Sequence, residues 1–109
     1  MSKSSTTIRS KRKVLLVHNP HPGEILLEEF MKPLGLSQNA LARALKVSPR
    51  RINELVHGKR AVSAETDLSL ARYFNLHEGF VLGLQADFDL MEQRRKLGHR
   101  LQEITPRAA

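Results

Sequence analysis

Between Pro22 and Leu90 apolar residues return every three or four positions, the period of helices with one buried face. Few β-branched residues alternate with polar ones, so no sheet is expected. Pro22 suits the first position of a helix and Glu24 its first turn. Ile25, Leu26, Phe30 and Met31 give that helix its apolar face, Glu28 and Glu29 look to water, and Pro33 and Gly35 end it. Ser37 caps a second helix with Ala40, Leu41, Ala44 and Leu45 inward. The turn Lys46-Val47-Ser48 follows, and Ser48 and Pro49 open a third helix that buries Ile52, Leu55 and Val56 and stops at Gly58. Ser63 caps a fourth helix with Leu68, Leu70, Ala71, Tyr73 and Phe74 inward. A fifth covers 77–90, with Phe80, Val81, Leu84 and Phe88 inward. The pattern predicts an all-α chain, five helices around one compact core.

Composition narrows the classes. One small domain with tails is what 109 residues allow. The absence of Cys excludes disulfides and thiolate metal sites. No apolar run nears the roughly 18 residues of a membrane span, and Val14-Leu15-Leu16-Val17 is too short for a signal-peptide core. A cytoplasmic protein with no membrane partner is expected. Residues 1–20 read as a flexible basic tail, within which 14–17 suit a short strand formed against a partner. Residues 21–90 read as the domain and 91–109 as a charged helical extension that frays towards Thr105-Pro106.

The charge is unevenly spread. The whole chain carries +7, but residues 1–20 carry +5, 21–36 carry −2, 37–60 carry +5, 61–93 carry −5 and 94–109 carry +4. The middle basic block coincides with the second and third helices, and a localised positive face points to a polyanion.

Those two helices are joined by a turn too short to lay them antiparallel, so they cross steeply, as in a helix-turn-helix over 38–57. Ala42 is small where the helices must cross, Val47 anchors the turn, and Ile52 and Leu55 pin the third helix to the core. Pro49, Arg50, Arg51, Asn53, Glu54 and His57 remain outside, followed by Lys59 and Arg60. Arginine and asparagine are the side chains that read guanine and adenine edges in the major groove. Two arginines in a first helical turn oppose the helix dipole, which favours an anionic partner for Arg50 and Arg51. Lys46 takes a turn position that usually needs Gly, at roughly 1 kcal/mol of left-handed strain.

At this point the sequence resembles a family. Residues 37–60, SQNALARALKVSPRRINELVHGKR, are similar to the helix-turn-helix of the XRE (Cro/C1) regulators. HPGEILLEEFMKPLGLSQNALARAL, RRINELVHGKR, SAETDLSLARYF and LGLQADFDL together resemble the HigA/VapI antitoxins over about residues 21–90. The resemblance implies a lambda-repressor-like helix-turn-helix fold, operator binding as a homodimer, repression of its own operon, and neutralisation of a HigB-like ribonuclease toxin. By that resemblance Gln38, Arg50, Arg51 and Asn53 match DNA-contacting positions; base contacts are expected of Arg50, Arg51 and Asn53, and phosphate contacts of Gln38 and Ser48 and of Lys59 and Arg60, which stand beyond the end of the third helix. One departure is Val81-Leu82-Gly83-Leu84-Gln85, where the family has Trp-Leu-Asn-Leu-Gln; packing around Val81 is expected to differ.

Leu82, Leu84, Phe88 and Leu90 offer more apolar surface than one helix needs, which makes them the candidate dimer interface. The histidines have no metal-ligand spacing: Pro20 and Pro22 break the helix that would align His18 with His21, and His57, His77 and His99 are far apart. No catalytic motif or phosphate-binding glycine loop occurs, so neither an enzyme nor a cofactor is expected. Two other readings share these residues. One is a stand-alone XRE transcriptional regulator; the other is a toxin-binding protein with little specific DNA binding.

Overall fold

The computed structural model describes residues 18–108. The expected tail and short strand over 1–17 lie outside the described residues. Within them the chain is all-α and no strand occurs. Helix α1 starts as Pro22–Ile25, continues as a π-helical stretch Leu26–Met31 and tightens into a 3-10 turn Lys32–Leu34. Then come α2 (Gln38–Leu45), α3 (Pro49–Val56), α4 (Ala64–Phe74) and α5 (Phe80–Leu97), which ends in a 3-10 turn Gly98–Leu101.

Local chemistry sets most of these boundaries. Ser37, Ser48 and Ser63 each accept, through Oγ, the backbone N–H three residues on, at 3.0, 3.2 and 3.2 Å. Left-handed residues close the opposite ends: Gly35 after α1, Lys46 after α2 and Asn75 after α4. The start of α5 lacks such a local cap, because Gly79 has no side chain to offer. Asp67 of α4 supplies it across the fold: its carboxylate accepts from the N–H groups of Gly79 at 2.6 Å and Leu82 at 2.8 Å.

The π stretch was not expected. It changes which side chains share a face, since Lys32 N–H bonds five residues back to Leu27. Leu26 and Met31 are both buried, although a regular α-helix would set them about 140° apart.

Leu26, Met31, Leu41, Ala42, Ile52, Leu55, Val56, Val62, Leu70 and Val81 form the core. Three residues expected inward are exposed instead: Ala44, Leu68 and Tyr73. Leu68 and Leu70 are two apart, about 200° around a helix, so one core face cannot hold both, and Leu70 holds it. Conversely, Gln85 is buried and accepts the Val62 N–H through Oε1 at 2.8 Å, tying the loop after α3 to α5. The fifth helix also starts three residues later and ends seven later than expected, running without a break into the extension. Asn19, assigned to the tail by composition, lies against it, donating to the Phe88 carbonyl at 3.0 Å and to Glu92 at 3.1 Å.

Candidate nucleic-acid interface

Helices α2 and α3 pack against each other, α1 backs α3, and α4 backs α2. Ala42 is fully buried at the crossing. The turn is closed by the Val47 N–H bonding to the Ala42 carbonyl at 3.0 Å. Lys46 stands at φ 59°, ψ 42°, the left-handed position expected for it. With Ile52, Leu55 and Val56 buried, the rest of α3 faces out.

On that outer face the side chains are already organised. The Arg50 side chain is 86% exposed, and among the described residues only its Nε is engaged, by Glu54 Oε2 at 3.1 Å. Asn53 donates through Nδ2 to Gln38 Oε1 at 3.1 Å, which joins the first residue of α2 to the middle of α3. Arg60 meets the other oxygen of Glu54 through Nε at 3.1 Å and Nη2 at 2.8 Å. Both arginines hold the Glu54 carboxyl below its ordinary 4.5, Arg60 the more strongly. Lys59, exposed, follows Gly58 at φ 70°. Ser48 Oγ is taken as an acceptor by its cap, which leaves the hydroxyl proton available to a partner.

Arg51 differs from the solvent-facing residue the sequence suggests. It is folded back over α4, with Nη2 on Glu65 at 2.9 Å and a buried Nε that finds no partner among the described residues. Its side chain lines a crevice with Leu45, Val47, Thr66 and Ser69. The four candidate dimer residues also divide. Leu82 and Leu90 are exposed; Leu84 and Phe88 turn inward, Leu84 beside Leu26 and Leu70, Phe88 edge-on to the His21 ring at 5.1 Å. Helical geometry places 84 and 88 on one face, so of the four only Leu82 and Leu90 are exposed.

The helix-turn-helix family pattern matches residues 27–81. Virulence-associated protein I of Dichelobacter nodosus is 54% identical over 70 residues, 64% of this chain and 65% of that protein; the chain thus spans just under two thirds of this curated relative. A Pseudomonas aeruginosa protein solved with its 18-bp operator DNA superposes with a TM-score of 0.79 at 40% identity, covering 83% of this chain and 96% of that one. Antitoxin HigA of Pseudomonas aeruginosa, solved with the higBA promoter, gives 0.76 at 39% identity, covering 82% and 98%. The chain belongs to the HigA/VapI-type branch of the helix-turn-helix family.

This placement gives the HigA-type opening His21-Pro22-Gly23-Glu24 a physical reading. The His21 ring caps α1, with Nδ1 accepting from Gly23 N–H at 2.9 Å. Gly23 lies so close to the end of α3 that a Cβ would fall 1.7 Å from the Leu55 carbonyl oxygen. Only glycine lets α1 back α3 at that distance. Burial lowers the His21 pKa below its ordinary 6.5, against opposing pulls from Asp89 and Glu24. The residue that departs from the HigA pattern, Val81, is buried. The space it lines with Pro22, Phe30 and Phe74 is only about 10 Å³, room for one water at most. Sequence reasoning passed over His21, Gly23, Asp67 and Gln85. The one visible hint is His-Pro-Gly-Glu, the start of the first stretch that carries the resemblance.

Proposed function

We propose that this chain is a homodimeric, operator-binding autorepressor and the antitoxin of a toxin–antitoxin pair, acting in the cytoplasm without cofactor or catalytic activity. Helix α3 enters the major groove, Arg50 and Asn53 meet base edges, and Gln38, Ser48, Lys59 and Arg60 meet phosphates. Arg51 joins the base contacts only by leaving Glu65. The outer face of α3 supports this reading most: an exposed arginine and an asparagine oriented by Gln38, on a scaffold shared with proteins solved on their operators. A single α3 offers few base contacts, so specific binding calls for two copies about 34 Å apart. The exposed Leu82 and Leu90 are the surface we assign to that pairing. The HigB-like toxin is assigned to a surface other than α3.

A reporter placed behind the DNA immediately upstream of the chain's own gene tests the repressor. Expression of the chain should silence it, and Arg50→Ala/Asn53→Ala should release it. Co-expression with the small reading frame beside the gene tests the antitoxin: rescue of growth and co-purification are expected. Repression without rescue would leave a stand-alone regulator; rescue without repression would leave a toxin binder.

A further inference from the structure

Glu54 is the only acid between residues 37 and 60, and it stands on the helix that carries the candidate base contacts. An acid there opposes binding, because it repels phosphates and cancels a nearby cation. Its geometry shows a compensating role. The two carboxylate oxygens are divided between two arginines, Oε2 on Arg50 Nε and Oε1 on Arg60 Nε and Nη2. Glu54 is itself largely covered, its side chain 25% exposed against 86% for Arg50. Arg50 is held at Nε, and among the described residues its two terminal nitrogens have no hydrogen-bond partner. A guanidinium reads guanine by aiming two N–H groups at O6 and N7 together. An arginine steadied at Nε presents that pair end-on and is kept from swinging onto the nearest phosphate.

We propose that Glu54 is a specificity-determining positioning residue: one carboxylate spans Arg50 and Arg60, fixes the first for a base edge and the second for the backbone, and weakens binding to DNA of any other sequence. This rests on the reading of α3 as the DNA-contacting helix. The full-length chain, Glu54→Asp and Glu54→Gln are compared by fluorescence anisotropy on upstream DNA and on shuffled DNA of the same length, with melting temperatures recorded alongside. Aspartate keeps the charge but is one methylene too short to span both arginines. Glutamine keeps the length but has a single acceptor oxygen. Both variants should lose about tenfold in the ratio of operator to shuffled affinity, with melting temperatures within about 4 °C of the unaltered chain. Glu54→Gln should also bind shuffled DNA more tightly. A ratio unchanged in Glu54→Asp would overturn the proposal, since the charge alone would then account for the residue. A ratio unchanged in Glu54→Gln would overturn it equally. If the unaltered chain fails to distinguish the two DNAs, the proposed function itself falls and this inference with it.

Discussion

Single residues in this chain do unlike work at adjacent positions. Arg50 and Arg51 share a helical turn, yet one projects to solvent and the other is strapped to Glu65 of the next helix. Lys46 is held left-handed by the turn between α2 and α3. Its strain is relieved by glycine, so Lys46→Gly should raise stability by about 0.5–1 kcal/mol, visible as a rise of roughly 2–8 °C in melting temperature. His21 must stay neutral to accept from Gly23, and burial holds its folded pKa below 6.5. The unfolded chain therefore binds the proton first. The His21 contribution is complete above pH 6.5 and is lost as pH falls below that value towards the folded pKa. Asparagine can cap a helix but does not titrate. Urea unfolding at pH 7 and pH 5 should thus show a smaller loss on acidification for His21→Asn than for the unaltered chain.

At the scale of elements, the joints between helices matter more than the helices. The Asp67 carboxylate is buried, and among the described residues its hydrogen-bond partners are the two N–H groups at the start of α5. Asp67→Ala should cost about 2–4 kcal/mol in urea unfolding, because both buried donors lose their acceptor. A loss below about 0.5 kcal/mol would mean that water replaces the carboxylate. Gly23→Ala should be at least as damaging, about 3 kcal/mol or more, since the clash is with backbone that cannot rotate away. These elements also show what a sequence discloses. Three helix starts were legible because each carries its own serine cap, and the crossing of α2 on α3 was legible in Ala42 and the short turn. The start of α5 was not, because its cap comes from Asp67, twelve residues before Gly79. Nor was the π stretch, which changes the period by which Leu26 and Met31 are judged. Apolar spacing nominated Leu68 and Tyr73 for the core, but the neighbouring helices decide which arc of α4 is covered.

Across the whole molecule the charge blocks of the sequence separate by element. The block 37–60, net +5, holds α2, the turn and α3, while 61–93, net −5, holds α4 and most of α5. The candidate contacts Arg50 and Asn53 were legible as residue types on the outer face of one helix, Lys59 and Arg60 as basic residues beyond its end, and Gln38 through the resemblance. The bonding was not, because Gln38 reaches Asn53 from another helix, Glu65 reaches Arg51 from the next one, and Glu54 reaches Arg60 across the loop after α3. The most direct check is an anisotropy titration of the purified chain on DNA from upstream of its gene and on shuffled DNA, at two salt concentrations, with Arg50→Ala and Arg51→Ala alongside. Operator binding should be selective and should weaken with salt, with a slope of about −0.9 for each phosphate contacted. Arg50→Ala should lose about 1–3 kcal/mol on the operator and less on shuffled DNA, and Arg51→Ala should lose less selectivity than Arg50→Ala. Equal binding to both DNAs, or an operator affinity indifferent to Arg50, would contradict the assignment of α3 to the major groove.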